Sequence, residues 1–170
     1  QETLGIAGGT CKRRWLFDGQ LDSLRQSLSY YQRGAEQCIQ PDNGYTAINA
    51  AFVMDLIARQ EGSEVPTESA CRIREALVAE LLPIENDPAY EGGPPRRELR
   101  WFHETIAEAY FGLCRYSQAS ERLMRVDWTK VAPWEFESTA RQFAWLAHTY
   151  DPDAVTAEGF QKSLPWNVLR

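Results

Sequence analysis

Hydrophobic positions recur along this chain at the three- and four-residue spacing that is typical of an amphipathic helix. Between Leu24 and Ile39, the apolar side chains follow one another at steps of 4, 3, 4 and 4 residues. Comparable stripes occupy the segments 45–56, 70–81, 102–113, 119–126 and 136–147. We find no segment that alternates apolar and polar residues as a half-buried strand does. The pattern therefore predicts an all-α protein.

Turn-forming residues separate these stripes and set the predicted helix ends. They include Asp18-Gly19, the PDNG segment 41–44 and the loop 83–95, which contains four prolines and two glycines. Thr67 follows a proline and is a predicted N-cap. We predict seven helices, at about 2–16, 20–39, 44–60, 67–82, 96–114, 117–127 and 134–149. The helices define a predicted domain over 1–150, which leaves 151–170 as a C-terminal tail or a linker to a following domain.

The segment 107–123 (AEAYFGLCRYSQASERL) reads as a helix, a tight turn and a second helix. It resembles the tetratricopeptide repeat (TPR) consensus, with Ala107 and Ala119 at its small positions and Tyr110 and Tyr116 at its aromatic positions. Gly34 matches a small position in an earlier helix. Small residues let paired helices approach closely. We expect a right-handed TPR-like solenoid of helical hairpins, built from divergent repeats.

A more specific resemblance rests on three segments in one order: 2–14 (ETLGIAGGTCKRR), 27–34 (SLSYYQRG) and 45–51 (YTAINAA). This order resembles the TRAF-binding, TPR-like regulatory region of the apoptosis signal-regulating kinases and their bacterial relatives. The segment 134–140 (WEFESTA) is similar to the closing part of that region. The resemblance implies a scaffold or regulatory role in signalling, without naming a partner. We find no similarity to a kinase domain.

Composition and charge disfavour two classes of protein, general nucleic-acid binders and membrane-spanning proteins. The chain has 18 basic and 24 acidic residues, a formal net charge of −6, so a general nucleic-acid-binding role is disfavoured. The sequence contains no apolar run of ~18 residues and no secretion signal, so we expect a cytoplasmic protein that does not span a membrane.

The first residue is Gln1, which indicates a piece of a longer protein. The spacing of the cysteines Cys11, Cys38, Cys71 and Cys114 fits four buried, reduced thiols better than two disulfides.

Candidate catalytic groups are sparse. His103 and His148 belong to no metal-binding pair, and we interpret them as packed or surface side chains. Gly5, Gly8 and Gly9 lack the surroundings of a phosphate-binding loop, so close helix packing is the preferred explanation for them. We therefore predict no enzymatic activity, no metal site and no cofactor. The rival hypothesis is a helical enzyme that uses His103 and Glu104.

TPR domains often bind peptides on the face of the first helix of each repeat, which here should include Thr46, Ala50 and Val53. We predict that a partner docks on the continuation of that face. Its residues are Trp101, Glu104, Glu108 and Phe111, with Arg97 and Arg100 at the edge. Two alternatives stay open: the aromatic side chains pack against a neighbouring repeat, or the two carboxylates form a solvated face. A second candidate surface is the basic cluster Lys12, Arg13 and Arg14. We interpret Asn49, in the same helix as Thr46, as a hydrogen-bonded packing residue and not as a ligand contact.

These patterns favour a non-catalytic protein-interaction or scaffold module of a larger signalling protein. Its expected partner is a protein or peptide, and self-association is possible. The alternative is a regulatory domain that senses a nucleotide or another small molecule and controls an attached effector.

Overall fold

The computed structural model describes residues 2–36 and 39–151, and within these ranges the chain forms seven α-helices and no strand. They are α1 (Glu2–Asp18), α2 (Leu21–Ala35), α3 (Tyr45–Gln60), α4 (Glu68–Leu81), α5 (Arg100–Gly112), α6 (Tyr116–Leu123) and α7 (Pro133–Tyr150). Short 3₁₀ turns occupy Leu82–Ile84, Arg96–Glu98 and Trp128–Lys130. The prediction of an all-α fold with about seven helices is confirmed.

Each of the first five helices packs against the next one along the chain. Most connections are short and fold neighbouring helices into hairpins, while the 18 residues between α4 and α5 include two 3₁₀ turns. The odd-numbered helices also contact one another: α3 touches α1, α5 and α7, and α5 touches α7. This side-by-side arrangement of alternate helices is the geometry of a TPR-like solenoid. It leaves one face of α1, α3, α5 and α7 directed toward a common groove.

Three predicted helix ends are wrong by four residues: the end of α2, the start of α5, and the end of α6, which stops at Leu123 and not at 127. α2 ends at Ala35 because the chain turns before α3, where the Gly44 amide donates to the Ile39 carbonyl at 2.8 Å. Gly44 has φ +81, a left-handed conformation that favours glycine. α5 begins at Arg100, since Leu99 before it is extended. Thr67 caps α4 as predicted, its hydroxyl accepting from the Ala70 amide at 3.1 Å.

Small residues set the distances between the helices, as the sequence predicted. A Cβ added at Gly8 of α1 would lie 2.9 Å from the ring of Tyr31 in α2. One added at Gly34 of α2 would lie 2.6 Å from a methyl carbon of Thr46 in α3. These contacts are too short for any side chain, so glycine is required where the backbones approach. Ala107 and Ala119, at the predicted small positions of the hairpin α5–α6, are both buried.

The core runs along the interior of the helical stack. Its largest apolar side chains are buried: Leu24, Tyr31, Phe52, Leu77, Phe102, Ile106, Phe143 and Leu146. A buried ion pair, Arg74 with Asp55, lies among them. The loop 83–95 forms a largely exposed turn that backbone hydrogen bonds close, including Ala89 N–H to the Pro94 carbonyl at 3.0 Å.

The cysteines correct one prediction. Cys114 is exposed, and Cys11 and Cys71 are half-buried free thiols. The expectation of four buried thiols is therefore wrong for these three, and Cys38 lies outside the described residues. Residues 152–170 of the predicted tail also lie outside them. No helix in the described part of the chain is long and apolar enough to cross a membrane.

Candidate functional site

The face shared by α1, α3, α5 and α7 lines an open-sided cavity of about 430 Å³. Each of these helices contributes polar side chains to its lining, and Tyr31 of α2 reaches it beside Gly9, where α1 has no side chain. Pockets that hold small ligands commonly measure about 300–1,000 Å³ and contain a few converging polar groups. The cavity is therefore the candidate binding site of the domain.

Four polar side chains, one from each lining helix, form a hydrogen-bonded network on the floor of the cavity. The ammonium group of Lys12 (α1) donates to Asn49 Oδ1 (α3) at 2.7 Å and to Gln142 Oε1 (α7) at 3.1 Å. The Gln142 amide nitrogen donates to the Glu108 carboxylate (α5) at 3.2 Å. This floor network, Lys12, Asn49, Glu108 and Gln142, links the four helices through side chains alone.

Burial shifts the pKa values of both ionisable members of the floor network, Lys12 and Glu108. Burial lowers the pKa of Lys12 to about 8, while the negative charge of Glu108 acts in the opposite direction. Burial raises the pKa of Glu108 to about 7, and the positive charges of Lys12 and Arg74 and the hydrogen bond from Gln142 oppose this shift. Burial penalises a charged group. Both groups therefore change protonation close to neutral pH.

One wall of the cavity is an ion cluster that joins α5 to α7. Arg100 donates to both carboxylate oxygens of Glu104 at 2.6 Å and to Glu135 at 2.9 Å. The hydroxyl of Thr139 also donates to Glu104, at 2.9 Å. Arg100 is thus the shared ion-pair partner of both carboxylates in this wall.

Aromatic side chains form the rest of the lining. Trp15 and Trp145 meet edge to face, with their ring centroids 5.3 Å apart, and close the end of the cavity between α1 and α7. Trp101 lines the wall beside Arg100, and Trp134 stands at the rim with 71% of its surface exposed. The cavity thus combines a charged floor with aromatic walls, a lining suited to a ligand that has polar and apolar parts.

The structure places most residues of the predicted docking face in the cavity and leaves others outside it. Trp101, Glu104, Glu108 and Arg100 line the cavity, whereas the sequence prediction placed them on an open surface. Arg97 is outside it, on a 3₁₀ turn, where its guanidinium group donates to the Asn86 side chain.

Phe111 and Glu108 contradict the predicted exposure of that face. Phe111 is buried because α7 and α6 cover it: its ring meets Phe143 at 5.5 Å and Tyr116 at 5.1 Å. For Phe111 the alternative, packing against neighbouring helices, is therefore the correct one. Glu108 is only 7% exposed, so the solvated-face alternative is wrong for it.

The fold brings the second candidate surface to the same place. Lys12 and Arg13 line the cavity together with Arg100, although 87 residues separate Arg13 from Arg100. Arg14 points away, toward α2, and donates to Ser23 at 3.0 Å and to Gln26 at 2.8 Å. Two surfaces that appeared as alternatives in the sequence are largely one site.

Sequence reasoning missed Gln142 and Tyr31 as site residues and interpreted Asn49 as a packing residue. Asn49 does both, since its amide nitrogen donates to the Tyr45 carbonyl at 2.9 Å while its oxygen accepts from Lys12. A polar residue within the apolar run of α3 was the only signal for it. The hydroxyl of Tyr31 is buried and makes no well-formed hydrogen bond to a described residue.

The histidines lie away from the cavity. His103 is buried, and its Nε2 atom lies 2.7 Å from the carbonyl oxygen of Arg97. His148 is exposed near the end of α7. Among the described residues, no group of three His, Cys, Asp or Glu side chains is placed to hold a metal ion.

Comparison with known proteins supports the TPR-like character of the chain. A family model described as Tetratricopeptide Repeats-Sensor (TPR-S) matches residues 1–54. No curated protein and no solved structure gave a significant match. The finer resemblance to the regulatory region of the apoptosis signal-regulating kinases is not confirmed and stays a prediction. The fold and the family model together indicate a TPR-like domain of the protein-interaction or sensor kind, a class that is generally non-catalytic.

Proposed function

We propose that this domain is a non-catalytic sensor, in which a small ligand binds in the cavity and its binding controls an attached effector of a larger signalling protein. The floor network carries this proposal, because one cavity collects a hydrogen-bonded polar side chain from each of four helices, and two of these side chains, Asn49 and Glu108, are buried. The sensor description of the matching family model agrees with it.

The connection of α7 to the rest of the domain suggests how ligand binding is transmitted. α7 meets α5 through the ion cluster of Arg100, Glu104 and Glu135, and meets α1 and α3 through Gln142. These contacts surround the cavity. A ligand that hydrogen-bonds to the floor network therefore changes the interactions that hold α7, the last helix before residue 151. A ligand shifts a conformational equilibrium only by such differential contacts.

Binding rather than turnover is proposed because of what Lys12 and Glu108 contact. Their hydrogen bonds go to the side-chain amides of Asn49 and Gln142, which are neither nucleophiles nor bases. Perturbed pKa values also occur in catalytic sites. Here the arrangement resembles a polar recognition surface more than a nucleophile held by its base.

Thermal shift with a defined panel of amino acids, nucleotides, sugars and organic acids tests the sensor proposal. We expect at least one class to raise the melting temperature of the protein in a saturable manner. Ser138→Trp fills the cavity from the exposed side of α7 and should abolish that shift. Ser29→Trp on the exposed face of α2 is the matched control and should retain it. The proposal fails if no class shifts the wild type, or if both variants respond like the wild type.

A protein partner is the second candidate, and the exposed apolar side chains around the cavity favour it. Trp134 is 71% exposed, Tyr45 48% and Leu16 44%, and each lines the cavity. Exposed aromatic residues beside charged ones are typical of interface hot spots. Selection of a displayed peptide library on the wild-type domain, followed by titration against Ser138→Trp, tests this candidate. Sedimentation of the domain alone tests self-association. The cytoplasmic location and the absence of a nucleic-acid partner stay predictions.

A further inference from the structure

Lys12 and Glu108 are a basic and an acidic group on the cavity floor, and they are linked through a third side chain. Gln142 stands between them, with its Oε1 accepting from Lys12 at 3.1 Å and its Nε2 donating to Glu108 at 3.2 Å. Each charged group is therefore held in position by a neutral amide, and each lines the cavity.

Both charged groups also keep unused hydrogen-bonding capacity. The ammonium group of Lys12 has three donors, and within the described residues it gives hydrogen bonds to Asn49 and Gln142. The Glu108 carboxylate has about four acceptor positions, and among the described residues its hydrogen bonds come from the Gln142 amide. A buried charge with few partners is costly. The floor therefore offers one position for an anionic group and one for a cationic group.

The side of the floor near Lys12 holds a further polar group. Lys12 Nζ lies 6.0 Å from the ring centroid of Tyr31 and 5.1 Å from that of Phe52. The buried Tyr31 hydroxyl lies near the Tyr45 hydroxyl and makes no well-formed hydrogen bond to a described residue. This hydroxyl lies near the backbone of Gly9, since a Cβ added there would be 3.4 Å from it. A hydroxyl and an ammonium group together are suited to a carboxylate.

On these observations, and resting on the sensor function proposed above, we propose that the cavity binds a zwitterionic ligand of the α-amino-acid or short-peptide class. The ligand carboxylate takes the position beside Lys12 and Tyr31, and the ligand ammonium takes the position beside Glu108. Its apolar side chain lies against the aromatic walls, which include Trp101 and Trp145. A cavity of about 430 Å³ has room for an aromatic amino acid or a dipeptide.

Charge balance favours a zwitterion over a ligand with a single charge. An anion bound to Lys12 alone would weaken the counter-charge that Lys12 supplies to the buried Glu108 carboxylate. A cation bound to Glu108 would do the same to Lys12. A zwitterion supplies both counter-charges at once, so neither buried group loses its compensation.

Isothermal titration of the full chain with three ligands of one shape provides the test. L-phenylalanine carries both charges, phenethylamine carries only the cation, and 3-phenylpropionate carries only the anion. We expect the zwitterion to bind at least tenfold more tightly than either analogue. The other standard amino acids and leucine-containing dipeptides are titrated in parallel, because the preferred side chain follows from the aromatic walls.

Variants assign each charge to its residue. Glu108→Gln should remove the preference for L-phenylalanine over 3-phenylpropionate, and Lys12→Met should remove its preference over phenethylamine. Glu121→Gln and Lys130→Met, at exposed positions outside the cavity, are the matched controls and should change neither preference. If a single variant does not fold, the relative affinities of the wild type for the three ligands test the zwitterion proposal without it.

Distinct results separate this inference from the sensor proposal. An analogue with one charge that binds the wild type as tightly as the zwitterion overturns the inference. It is also overturned if no amino acid or dipeptide binds while a nucleotide, sugar or organic acid shifts the melting temperature, with the shift lost in Ser138→Trp. In that case the sensor proposal stands. Absence of any ligand from all classes overturns both.

Discussion

The guanidinium group of Arg74 donates a hydrogen bond of 2.7 Å to the carboxylate of Asp55 in the middle of the helical stack, where both side chains are fully buried. The hydroxyl of Tyr150 donates to the same carboxylate at 2.8 Å, and the Gly112 carbonyl accepts from both Arg74 and Tyr150. This cluster joins α4, α3, α7 and the end of α5. It fixes the C-terminal turn of α7 independently of the contacts around the cavity.

Asp55→Ala should destabilise the domain by about 3–5 kcal/mol, because it leaves the Arg74 guanidinium buried without its counter-charge. Urea unfolding monitored by circular dichroism measures the loss. Glu68→Ala is the matched control: its pair with Arg72 is on the surface, with the Glu68 side chain 83% exposed, so we expect a change of less than about 1 kcal/mol. Equal losses in the two variants would show that burial of the Arg74–Asp55 pair has no energetic consequence.

Substitution by alanine should have opposite effects on stability at two adjacent glycines of α1, Gly8 and Gly9. Gly8→Ala places a Cβ 2.9 Å from the Tyr31 ring, so we expect it to cost about 1–3 kcal/mol through overpacking. Gly9→Ala places a Cβ 3.4 Å from the Tyr31 hydroxyl, an ordinary contact, and should stabilise α1 by up to about 1 kcal/mol through helix propensity. Thermal unfolding of the two variants measures the difference. The reverse order of stability would contradict the packing described for α1 and α2.

The floor network should make stability depend on pH on both sides of neutrality. The pKa of Glu108 is raised from 4.5 to about 7, so folding favours its protonated form, and the free energy of unfolding should fall as pH rises from 4.5 to 7. The pKa of Lys12 is lowered from 10.5 to about 8, so folding favours its neutral form, and its contribution should rise between pH 8 and 10.5. Each change is on the order of 1 to 3 kcal/mol.

Glu108→Gln isolates the acidic part of this profile. Glutamine does not titrate, so the fall contributed by Glu108 between pH 4.5 and 7 should disappear, while Glu121→Gln at an exposed site of α6 should leave it in place. Urea unfolding at half-unit pH intervals provides the measurement. A profile that is the same in the wild type and both variants would assign the pH dependence to other groups.

Phe111 and Trp134 test which aromatic residues stabilise the fold and which face a ligand or partner. Phe111→Ala removes a buried ring packed between Phe143 and Tyr116, and should cost about 3–5 kcal/mol. Trp134→Ala removes a ring that is 71% exposed, and should change stability by no more than about 0.5 kcal/mol. Chemical unfolding of the two variants measures both changes in stability. A small loss at Phe111 would restore the predicted role of its ring as an exposed contact.

Local sequence determined the secondary structure and the hairpin arrangement, because both depend on neighbouring residues. The three- and four-residue steps identified the helices, and Thr67 marked the start of α4. Gly34, Ala107 and Ala119 marked close helix contacts, since only a small side chain fits where two backbones approach. In α5 the charges at Arg100, Glu104 and Glu108 also indicated the correct face, because four-residue spacing keeps them on one side of the helix.

Residue spacing did not identify which face of α3 lines the cavity. The sequence prediction placed Thr46, Ala50 and Val53 toward the binding surface, but all three are buried in the core, and Tyr45 and Asn49 line the cavity instead. α3 packs against α1, α2, α4, α5 and α7, so it is apolar around most of its circumference. A hydrophobic stripe identifies a buried face only when the opposite face is polar.

The site itself was decided by the tertiary structure. Lys12 and Gln142 are 130 residues apart in the chain, and they meet because α1 and α7 both pack against α3. The packing of α7 against α5 also buries Phe111 beside Phe143 and brings Gln142 to Glu108, which shifts the pKa of that carboxyl. Helical periodicity is set by residues three or four positions apart. Which helix covers another depends on the packing of all seven, and burial, charge pairing and the cavity follow from that packing.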